Sequence, residues 1–454
     1  MAQVTLSPVP PAAATSSPHP PTDPDGPRDR LGAAAPFDLR IPHLAPEPWP
    51  PVTWQRRPWD WPRHGPKPPR GDRQFHEFDA AVPPPIAGRS VRPGPEAGAA
   101  LAAATAAVEV LDRSGGIDLT ALAGSLLRSE SVASSRIEHL RASQRDVGVA
   151  MLREGTTGAA AQVAANVRAM AEAIRLGEAG TPCTVDDLLQ IHHILLSHDP
   201  DQSQYAGQLR GVQNWVGGSF HSPRDALFVP PPPGLVNPLV DDLVRFCNRT
   251  DLDPIAQAAV AHAQFETIHP FADGNGRTGR ALVHVVLRRR GLAARTVVPV
   301  STVLLADVDA YFAGLADYRA GRLDVWLARF AAATSHAASA GLRLATELGE
   351  IRAEWVESVR PRRGSAAAAL VDALLRQPVV DIDSLRALVP HGDPAAGQGA
   401  VADKNLYRAV DRLVAAEVLT EVSGGGRNRV WAALDVLELL ERFETSLGRR
   451  RLAG

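Results

Sequence analysis

Proline divides this chain of 454 residues into two parts that cannot fold in the same way. Of its 39 prolines, 24 lie in the first 100 residues. Each proline fixes φ and removes a backbone N–H donor, so residues 1–74 are predicted to form a Pro-rich, extended and partly disordered segment. This segment nevertheless contains half of the tryptophans, namely Trp49, Trp54, Trp59 and Trp61. We therefore expect the chain around these tryptophans to pack on a folded surface, with a partner-docking segment as the alternative.

Apolar residues recur at helical spacing beyond residue 95, which predicts a mostly α fold class. The predicted helices are Ala99–Asp112, Ala121–Leu140, Gly158–Leu176, Thr184–Leu196, Val236–Cys247, Pro254–Ile268, Arg277–Arg290, Val308–Ala320 and Asp324–Ser335. Residues 207–233 differ, because glycine, proline and the run ALFVPPPP predict a short β-hairpin or an extended flap. The sequence therefore indicates a helical core with one short β insertion.

The last part, residues 361–454, is predicted to fold as a C-terminal unit. Its pattern is three helices followed by a hairpin, the order of a winged helix-turn-helix. The three helices are predicted at Ser365–Arg376, Ile382–Leu388 and Lys404–Glu417. Candidate phosphate contacts are Lys404, Arg408 and Arg412 on the third helix, with Arg427 and Arg429 in the hairpin. The unit has 13 basic and 12 acidic residues, which is not a basic footprint, so DNA binding, protein docking and dimerisation all stay open.

The overall composition excludes several classes of protein. The 48 basic and 50 acidic residues nearly cancel, which argues against a nucleic-acid coat or an acidic tail. Two cysteines, Cys183 and Cys247, cannot form a disulfide scaffold, and no Cys/His cluster has zinc-finger spacing. The chain shows neither a signal-peptide pattern nor a membrane-spanning apolar run, so we expect a cytoplasmic protein. Lysine occurs only at Lys67 and Lys404, a bias typical of a GC-rich bacterial genome.

The most informative stretch is HPFADGNGRTGR, which runs from His269 to Arg280. The preceding helix is expected to end at His269, because Pro270 disfavours helical geometry in the residue before it. Gly274–Gly276 tolerate positive φ and can direct backbone N–H groups towards an anion at the start of the next helix. Arg277 and Arg280 lie on the first turn of that helix, where two cations oppose the helix dipole unless an anion lies between them.

Two further side chains of this stretch complete a phosphate-binding pattern. Asp273 lies beside the expected anion, where a carboxylate can hold Mg²⁺ against phosphate oxygens. His269 lies at the mouth of the site and can accept a proton near pH 7. Each residue alone has a simpler explanation, such as a helix cap or a solvated charge. Their combination in one short loop predicts phosphate chemistry.

This stretch resembles the signature of Fic-domain proteins, His-x-Phe-x-(Asp/Glu)-Gly-Asn-Gly-Arg-x-x-Arg, and every specified position is met. The resemblance covers roughly residues 75–335. It implies a Fic-type helical core at 161–340, preceded at 75–160 by a helical region with an inhibitory motif. The implied function is that of a protein adenylyltransferase, which moves AMP from ATP to a Ser, Thr or Tyr hydroxyl of a target protein. Together with a C-terminal winged helix, this is similar to a common bacterial Fic architecture.

The resemblance also implies a role for each residue of the loop. His269 would be the general base on the target hydroxyl, Phe271 the apolar anchor of the loop, and Asp273 the ligand of Mg²⁺. Arg280 would bind the γ-phosphate of ATP. The implied nucleotide-binding set is Asp273, Gly274, Asn275, Gly276, Arg277, Thr278, Gly279, Arg280 and, with Phe312 near the adenine, Tyr311.

Regulation and target binding are implied by two other segments. Ser134 and Glu138 match a Fic inhibitory motif, Ser/Thr-x-x-x-Glu-(Gly/Asn), in which the glutamate pairs with the second signature arginine, here Arg280. The sequence departs from that motif at His139. The stretch matching the flap that would clamp a target by β-augmentation contains Ala226, Leu227, Phe228 and Val229. Self-modification and a homodimer are further expectations.

Three alternative functions stay open at the level of sequence. The same site could remove AMP from a modified protein, with Glu138 orienting a water molecule. The chain could be a DNA-binding regulator whose core senses a nucleotide. A metal-dependent hydrolase built on His262, Glu266 and His269 is the third, although a helix face packed on its neighbours explains His262 and Glu266 more simply. The neighbouring His192 and His193 are expected to pack or to face solvent.

Overall fold

The computed structural model describes residues 49–60, 68–113, 119–153, 155–389, 403–423 and 428–449. The described chain is mostly helical. In its first part the elements are β1 (Thr53–Pro58), α1 (Arg70–Arg73), β2 (Glu77–Val82), α2 (Pro95–Arg113), α3 (Leu119–Ile137), α4 (Gln144–Leu152), α5 (Ala159–Leu176) and α6 (Val185–Leu196). They continue with α7 (Val236–Cys247), α8 (Pro254–Ile268), α9 (Asn275–Arg289), α10 (Val300–Ala306), α11 (Val308–Arg319) and α12 (Leu323–Val359). No described helix is both long and apolar enough to cross a membrane.

Helices α8 and α9 form the centre of the core. Asp253 caps α8 by accepting from two backbone N–H groups, and Pro254 occupies the first turn, where its missing N–H costs nothing. Every residue from Ile255 to Ile268 is buried, as is every residue from Asn275 to Leu287 in α9. The loop that joins the two helices is therefore held inside the core rather than on the surface.

The structure confirms most of the predicted helices within a few residues and corrects one of them. The helix predicted at Asp324–Ser335 is the 37-residue α12, which continues to Val359 and passes the predicted end of the core at residue 340. Buried apolar residues recur along its second half, and Trp355 there donates to Asp435 at 2.9 Å, so this half of the helix packs on the C-terminal part of the chain. Helices α4 and α10, with strands β1 and β2, were not predicted.

Two of the three described N-terminal tryptophans, Trp49 and Trp59, pack on the core as expected, whereas Trp54 is 57% exposed. Trp49 is buried against Tyr318, and Trp59 meets Trp215 edge to face with centroids 5.4 Å apart. Strands β1 and β2 form an antiparallel pair, and the Ala81 N–H of β2 bonds to the Val229 carbonyl of the predicted flap at 2.9 Å. Trp61 lies outside the described residues. The N-terminal segment is thus attached directly to the flap.

The flap is less regular than the predicted hairpin. Its β structure is one isolated antiparallel bridge between Val216 and Phe228, in which the Val216 N–H donates to the Phe228 carbonyl at 2.8 Å. Four consecutive prolines, Pro230 to Pro233, follow the bridge and lack the N–H groups that a longer ladder would need. The β insertion expected at residues 207–233 is therefore a loop closed by a single β-bridge, not a regular hairpin.

The C-terminal unit contains α13 (Ala366–Leu374), β3 (Val379–Asp381), α14 (Ile382–Leu388), α15 (Asp403–Ala415), β4 (Thr420–Glu421), β5 (Val430–Ala432) and α16 (Leu434–Arg449). The strands form an antiparallel sheet in the order β3-β5-β4, and β3 and α16 were not predicted. Of the candidate phosphate contacts, Arg412 donates to the carbonyls at the C-terminus of α12, and Arg429 forms an ion pair with Glu421 at 2.6 Å. Arg427 lies outside the described residues.

Candidate active site

The loop between α8 and α9 is fixed largely by its own residues. His269 ends α8 with φ of 50°, in the left-handed region, and Gly274 begins α9 with φ of 72°. Between them the Asn275 side chain closes the loop on Phe271. Its Oδ1 accepts from the Phe271 N–H at 2.8 Å, and its Nδ2 donates to the Phe271 carbonyl at 2.9 Å. Asn275 is thus a brace of the loop.

His192 on α6 supports this loop from the side. Its ring stacks on Phe271, with centroids 3.7 Å apart and planes 6° apart. Nδ1 accepts from the Gly207 N–H at 3.0 Å, so the proton resides on Nε2, which donates to the Asp273 carbonyl at 3.0 Å. Burial lowers the pKa of His192 to about 4, which keeps the ring neutral. The expectation that His192 packs is confirmed; its support of the loop was missed.

The ring of His269 is buried, yet it has no hydrogen-bond partner at either nitrogen among the described residues. Burial, together with the charges of Arg210 and Arg319, lowers the pKa of His269 to about 3. The imidazole is therefore neutral at physiological pH. A neutral ring with a free nitrogen can accept a proton from a bound hydroxyl group.

Arg210 connects the flap to this loop and was missed by the sequence. Its guanidinium donates to the His269 carbonyl at 2.8 Å, to the Val212 carbonyl at 3.0 Å and to the Pro231 carbonyl at 2.7 Å. A weaker bond reaches the Ile268 carbonyl at 3.3 Å. Since these are the C-terminal carbonyls of α8 and the two ends of the flap, one cation joins all three. Burial lowers the pKa of Arg210 to about 9.

Arg280 on α9 is bound by residues at the end of α3. Its Nη2 donates to Glu138 Oε1 and to the Ser134 carbonyl, both at 2.8 Å, and its Nε donates to Ser134 Oγ at 2.9 Å. Burial alone would lower the pKa of Arg280, but the charges of Glu138, Tyr311 and Glu266 and the hydrogen bond to Glu138 together outweigh burial, so the pKa is raised. The structure therefore places Glu138 against Arg280, the pair that the family resemblance implied, and adds two contacts from Ser134 of the same motif.

Two backbone features allow Glu138 to approach α9. His139 has φ of 61°, which explains why glycine or asparagine would suit this position better than histidine. A Cβ at Gly276 would collide with Glu138 Oε1 and lie 2.8 Å from Arg280 Nη1. The carboxylate thus occupies space that exists because residue 276 is glycine.

The N-terminus of α9 presents unsatisfied donors. The backbone N–H groups of Asn275, Gly276 and Arg277 have no acceptor within the helix, as in the first turn of any α-helix. Arg277 is buried, its Nε has no hydrogen-bond partner, and no ion pair involves it in the described part of the chain. Thr278 Oγ1 is also buried without a partner, whereas Gly279 packs on Glu266 and Phe265. These unsatisfied donors favour an anion such as phosphate.

Asp273 is half-buried at the edge of this site. Its Oδ1 accepts from the Gly274 N–H at 2.7 Å, which leaves Oδ2 for another ligand. Within the described ranges, no group of three His, Cys, Asp or Glu residues could hold a metal ion by itself. One carboxylate fits Mg²⁺, which is commonly held by one or two carboxylates together with substrate phosphates and water.

Behind Arg280 lies a buried polar cluster. His262 Nε2 and the Tyr311 hydroxyl are 2.9 Å apart, and burial raises the pKa of Tyr311. Burial also raises the pKa of Glu266 to about 7 and lowers that of His262 to about 3. Tyr311 is 1% exposed, so its ring lines the back of the site, whereas the adjacent Phe312 is exposed. A contact between Tyr311 and adenine stays a prediction.

The flap presents one apolar side chain to solvent. Leu227 is 83% exposed, while Phe228 and Val229 are buried and Ala226 is half-buried. The Arg319 guanidinium lies 3.7 Å from the centroid of the Phe228 ring, in the geometry of a cation–π contact. Arg319 also lies close enough to His269 to lower its pKa, so it connects the flap to His269.

The Fic/DOC family model matches residues 182–287, which span α6, the flap and helices α7 to α9. The protein adenylyltransferase fic-1 of Caenorhabditis elegans is 34% identical over 140 residues, or 30% of this chain and 25% of that protein. The protein adenylyltransferase Fic of Drosophila melanogaster is 38% identical over 112 residues, or 24% of this chain and 20% of that protein. The chain thus spans about a quarter or less of the length of these relatives.

A solved Fic family protein from Desulfovibrio desulfuricans aligns over 78% of this chain and 98% of its own, with a TM-score of 0.47 and 19% identity. The matched region of the family model contains the loop from His269 to Arg280, together with His192 and Arg210, which support it. The chain therefore contains a Fic/DOC domain.

Proposed function

We propose that this chain is a self-inhibited protein adenylyltransferase that moves AMP from ATP to a Ser, Thr or Tyr hydroxyl of a target protein. The observation that carries this proposal is the composition of the loop between α8 and α9. A buried, neutral His269 without a partner begins the loop, and the free N–H groups of α9 with Arg277 follow it. A base and an anion site so close together suit attack of a hydroxyl group on a phosphate. The relatives named protein adenylyltransferase support the same reaction.

The reaction forms a bond between the target oxygen and the α-phosphorus of ATP and breaks the bond from that phosphorus to the bridging oxygen of pyrophosphate. His269 takes the hydroxyl proton as the new bond forms. The first-turn N–H groups of α9 and the Arg277 guanidinium stabilise the charge on the phosphate oxygens. Asp273 would hold Mg²⁺, which neutralises phosphate charge when bound. Pyrophosphate leaves, and AMP stays on the target.

Inhibition follows from the pairing of Glu138 with Arg280. The γ-phosphate of ATP would need the Arg280 donors that Glu138 and Ser134 occupy. Since a carboxylate and a phosphate compete for the same guanidinium, ATP can bind in the orientation for AMP transfer only after Glu138 moves away. Replacing Glu138 by glycine should therefore release the activity.

The experiment is the intact mass of the protein after incubation with ATP and Mg²⁺. We compare wild type, Glu138→Gly, and Glu138→Gly with His269→Ala. A gain of one or more AMP units only in the single variant supports the proposal. If no variant gains mass, AMP release from a modified target would be measured next, since the same site could run the reaction in reverse. Absence of ATP binding by Glu138→Gly would contradict AMP transfer from ATP.

We propose nucleic-acid binding by a winged-helix C-terminal unit as a second candidate function. One observation favours it: a groove of about 890 Å³ lies between the end of α12, the start of α13 and α15. Its basic lining residues are Arg352, Arg362, Arg363, Arg408 and Arg412. Arg352 pairs with Asp372 at 2.7 Å, which leaves the groove strongly positive. Clustered like charges of this kind attract a phosphate backbone.

Fluorescence anisotropy of a labelled DNA duplex at 50 and 200 mM salt tests this second function. The double variant Arg362→Ala with Arg363→Ala should weaken binding and reduce its salt dependence. Arg386→Ala is the matched control, because Arg386 belongs to the same unit but is paired with Asp383 and Asp403. Equal binding by the double variant and wild type would exclude the groove.

A further inference from the structure

Helix α16, at the end of the described chain, reaches the segment that carries Glu138. Glu444 of α16 has a fully buried side chain, and its Oε2 lies 2.7 Å from Nη1 of Arg136. Arg136 is in the last turn of α3, two residues before Glu138. The other carboxylate oxygen of Glu444 accepts from Nε2 of Gln144, the first residue of α4. One carboxylate therefore joins both ends of the turn that contains Glu138.

The neighbourhood of Glu444 makes this contact costly to break. Arg128 on α3 is 4% exposed, has no carboxylate within hydrogen-bonding distance among the described residues, and is close enough to Glu444 for its pKa to respond to that charge. Burial raises the pKa of Glu444 to about 7, against the opposing effects of Arg136, Gln144 and Arg128. Removing the carboxylate would leave two arginines near the protein interior without their counter-charge.

Further contacts attach the C-terminal unit to the same helices. Ser125 Oγ on α3 donates to the Leu375 carbonyl at 2.7 Å, and a Cβ at Gly148 on α4 would collide with the Val379 side chain. The turn between α3 and α4 is short and closes on itself through bonds from the Leu140 and Glu138 N–H groups to the Ser135 carbonyl. A displacement of α16 is therefore transmitted to Glu138 through very few bonds.

We propose that Glu444 is a positioning residue for inhibition: it holds the turn between α3 and α4 so that Glu138 stays on Arg280, and displacement of α16 releases the site. The inference rests on the proposed function and deepens it by assigning the regulation of the site to the C-terminal unit. A partner that binds this unit and withdraws α16 would activate AMP transfer without touching the α8–α9 loop.

The test uses the full chain at pH 8, where Glu444 is ionised, and measures the rate of AMP incorporation. Glu444→Gln should raise the rate at least about fivefold over wild type, the lower end of typical couplings between two sites. The matched control is Asp435→Ala, which removes another α16 contact, the acceptor of the bond from Trp355 Nε1 at 2.9 Å, and should leave the rate unchanged. If Glu444→Gln fails to fold, Arg136→Ala breaks the same ion pair from its more exposed side.

Two comparisons separate this role from general damage to the fold. In the Glu138→Gly background, Glu444→Gln should add nothing, because the residue through which it acts is gone. Hydrogen exchange should increase at residues 136–146 of Glu444→Gln and stay unchanged at 275–289. An active Glu138→Gly protein with a wild-type rate in Glu444→Gln would overturn the inference. If Glu138→Gly is itself inactive, the proposed function fails, and unchanged exchange at 136–146 would independently overturn the role of Glu444.

Discussion

The loop between α8 and α9 and the turn between α3 and α4 meet at Arg280, but they are held in place in opposite ways. The loop is closed by Asn275 on Phe271, four residues away. The turn is closed partly by Glu444, which is 300 residues from Gln144 in sequence. The other contacts of the loop, from His192 and Arg210, also come from residues that precede it by fewer than about 100 positions and belong to α6 and the flap, not to the C-terminal unit. Long-range bonds make the position of Glu138 depend on whatever else contacts the C-terminal unit.

The largest expected effect is on the loop between α8 and α9, which Arg210 supports from the flap. Arg210→Ala should lower the free energy of unfolding by about 4 kcal/mol, because it leaves several buried carbonyls unpaired at about 1–3 kcal/mol each. Chemical denaturation measures this loss. Arg56→Ala removes an exposed arginine with two carboxylate partners and should cost less than about 1 kcal/mol. Similar losses in the two variants would contradict the assignment of Arg210 as the joint between flap and loop.

Asn275 is expected to support the active-site loop specifically, whereas Asn248 supports only the stability of the fold. Asn275→Ala should cost about 2 kcal/mol, because the buried Phe271 N–H loses its partner while the Phe271 carbonyl keeps the bond from Asn214 Nδ2. It should also reduce AMP transfer in the Glu138→Gly background. Asn248 makes the same pair of bonds to the Cys183 backbone, far along the chain from the loop. Asn248→Ala should therefore cost similar stability while keeping the activity of the folded protein. Loss of activity in both variants, measured at a temperature where both are folded, would refute a specific role for Asn275.

The pH dependence of the reaction tests how completely the loop is shielded. Because the pKa of His269 is held near 3, the imidazole is a neutral base throughout the range from pH 5 to pH 8. The rate of AMP incorporation by Glu138→Gly should therefore show no fall as the pH drops through 6.5, the ordinary value for histidine. The free energy of unfolding does depend on pH. Below pH 6.5 His269 is protonated in the unfolded chain but stays neutral in the folded chain, so the folded protein loses stability as the pH falls from 6.5 towards 3. A fall in the rate of AMP incorporation as the pH drops through 6.5 would indicate that the His269 ring is exposed to solvent.

The smallest expected effect is on the contacts between α3 and the C-terminal unit. Ser125→Ala removes one hydrogen bond from α3 to the Leu375 carbonyl and should cost about 1 kcal/mol. Because this contact lies far along α3 from Glu138, the rate of self-modification should stay below that of Glu444→Gln. Equal activation by the two variants would mean that any weakened contact of the C-terminal unit releases Glu138. Glu444 would then have no specific role in positioning the turn between α3 and α4.

Sequence reasoning succeeded where a feature depends on neighbouring residues. Helix α8 has Pro254 at its start and Pro270 just after its end, so both ends were predicted correctly. The start of α9 was predicted from Gly274, which precedes the first residue of the helix. The pairing of Arg280 with Glu138 was predicted from the resemblance to a family motif.

It failed where the partner is remote. Arg210 lies in a glycine-rich stretch, and only the folded flap brings the carbonyls of Val212 and Pro231 to it. Glu444 lies in an amphipathic helix whose other acids are exposed, and nothing in its spacing marks it as buried. Arg412 was predicted to face phosphate, but the C-terminus of α12 occupies it because that helix continues to Val359.

Gly276 links two evolutionary constraints at one position. Any side chain there would expel Glu138, which looks like a one-step route to an enzyme without inhibition. The same side chain would also point towards Arg280 and crowd the first turn of α9, where the nucleotide is proposed to bind. If Glu138 inhibits as proposed, a chain that loses inhibition but keeps Gly276 and Arg280 for the nucleotide has to change Glu138 or the residues that support it, which lie outside the loop from His269 to Arg280.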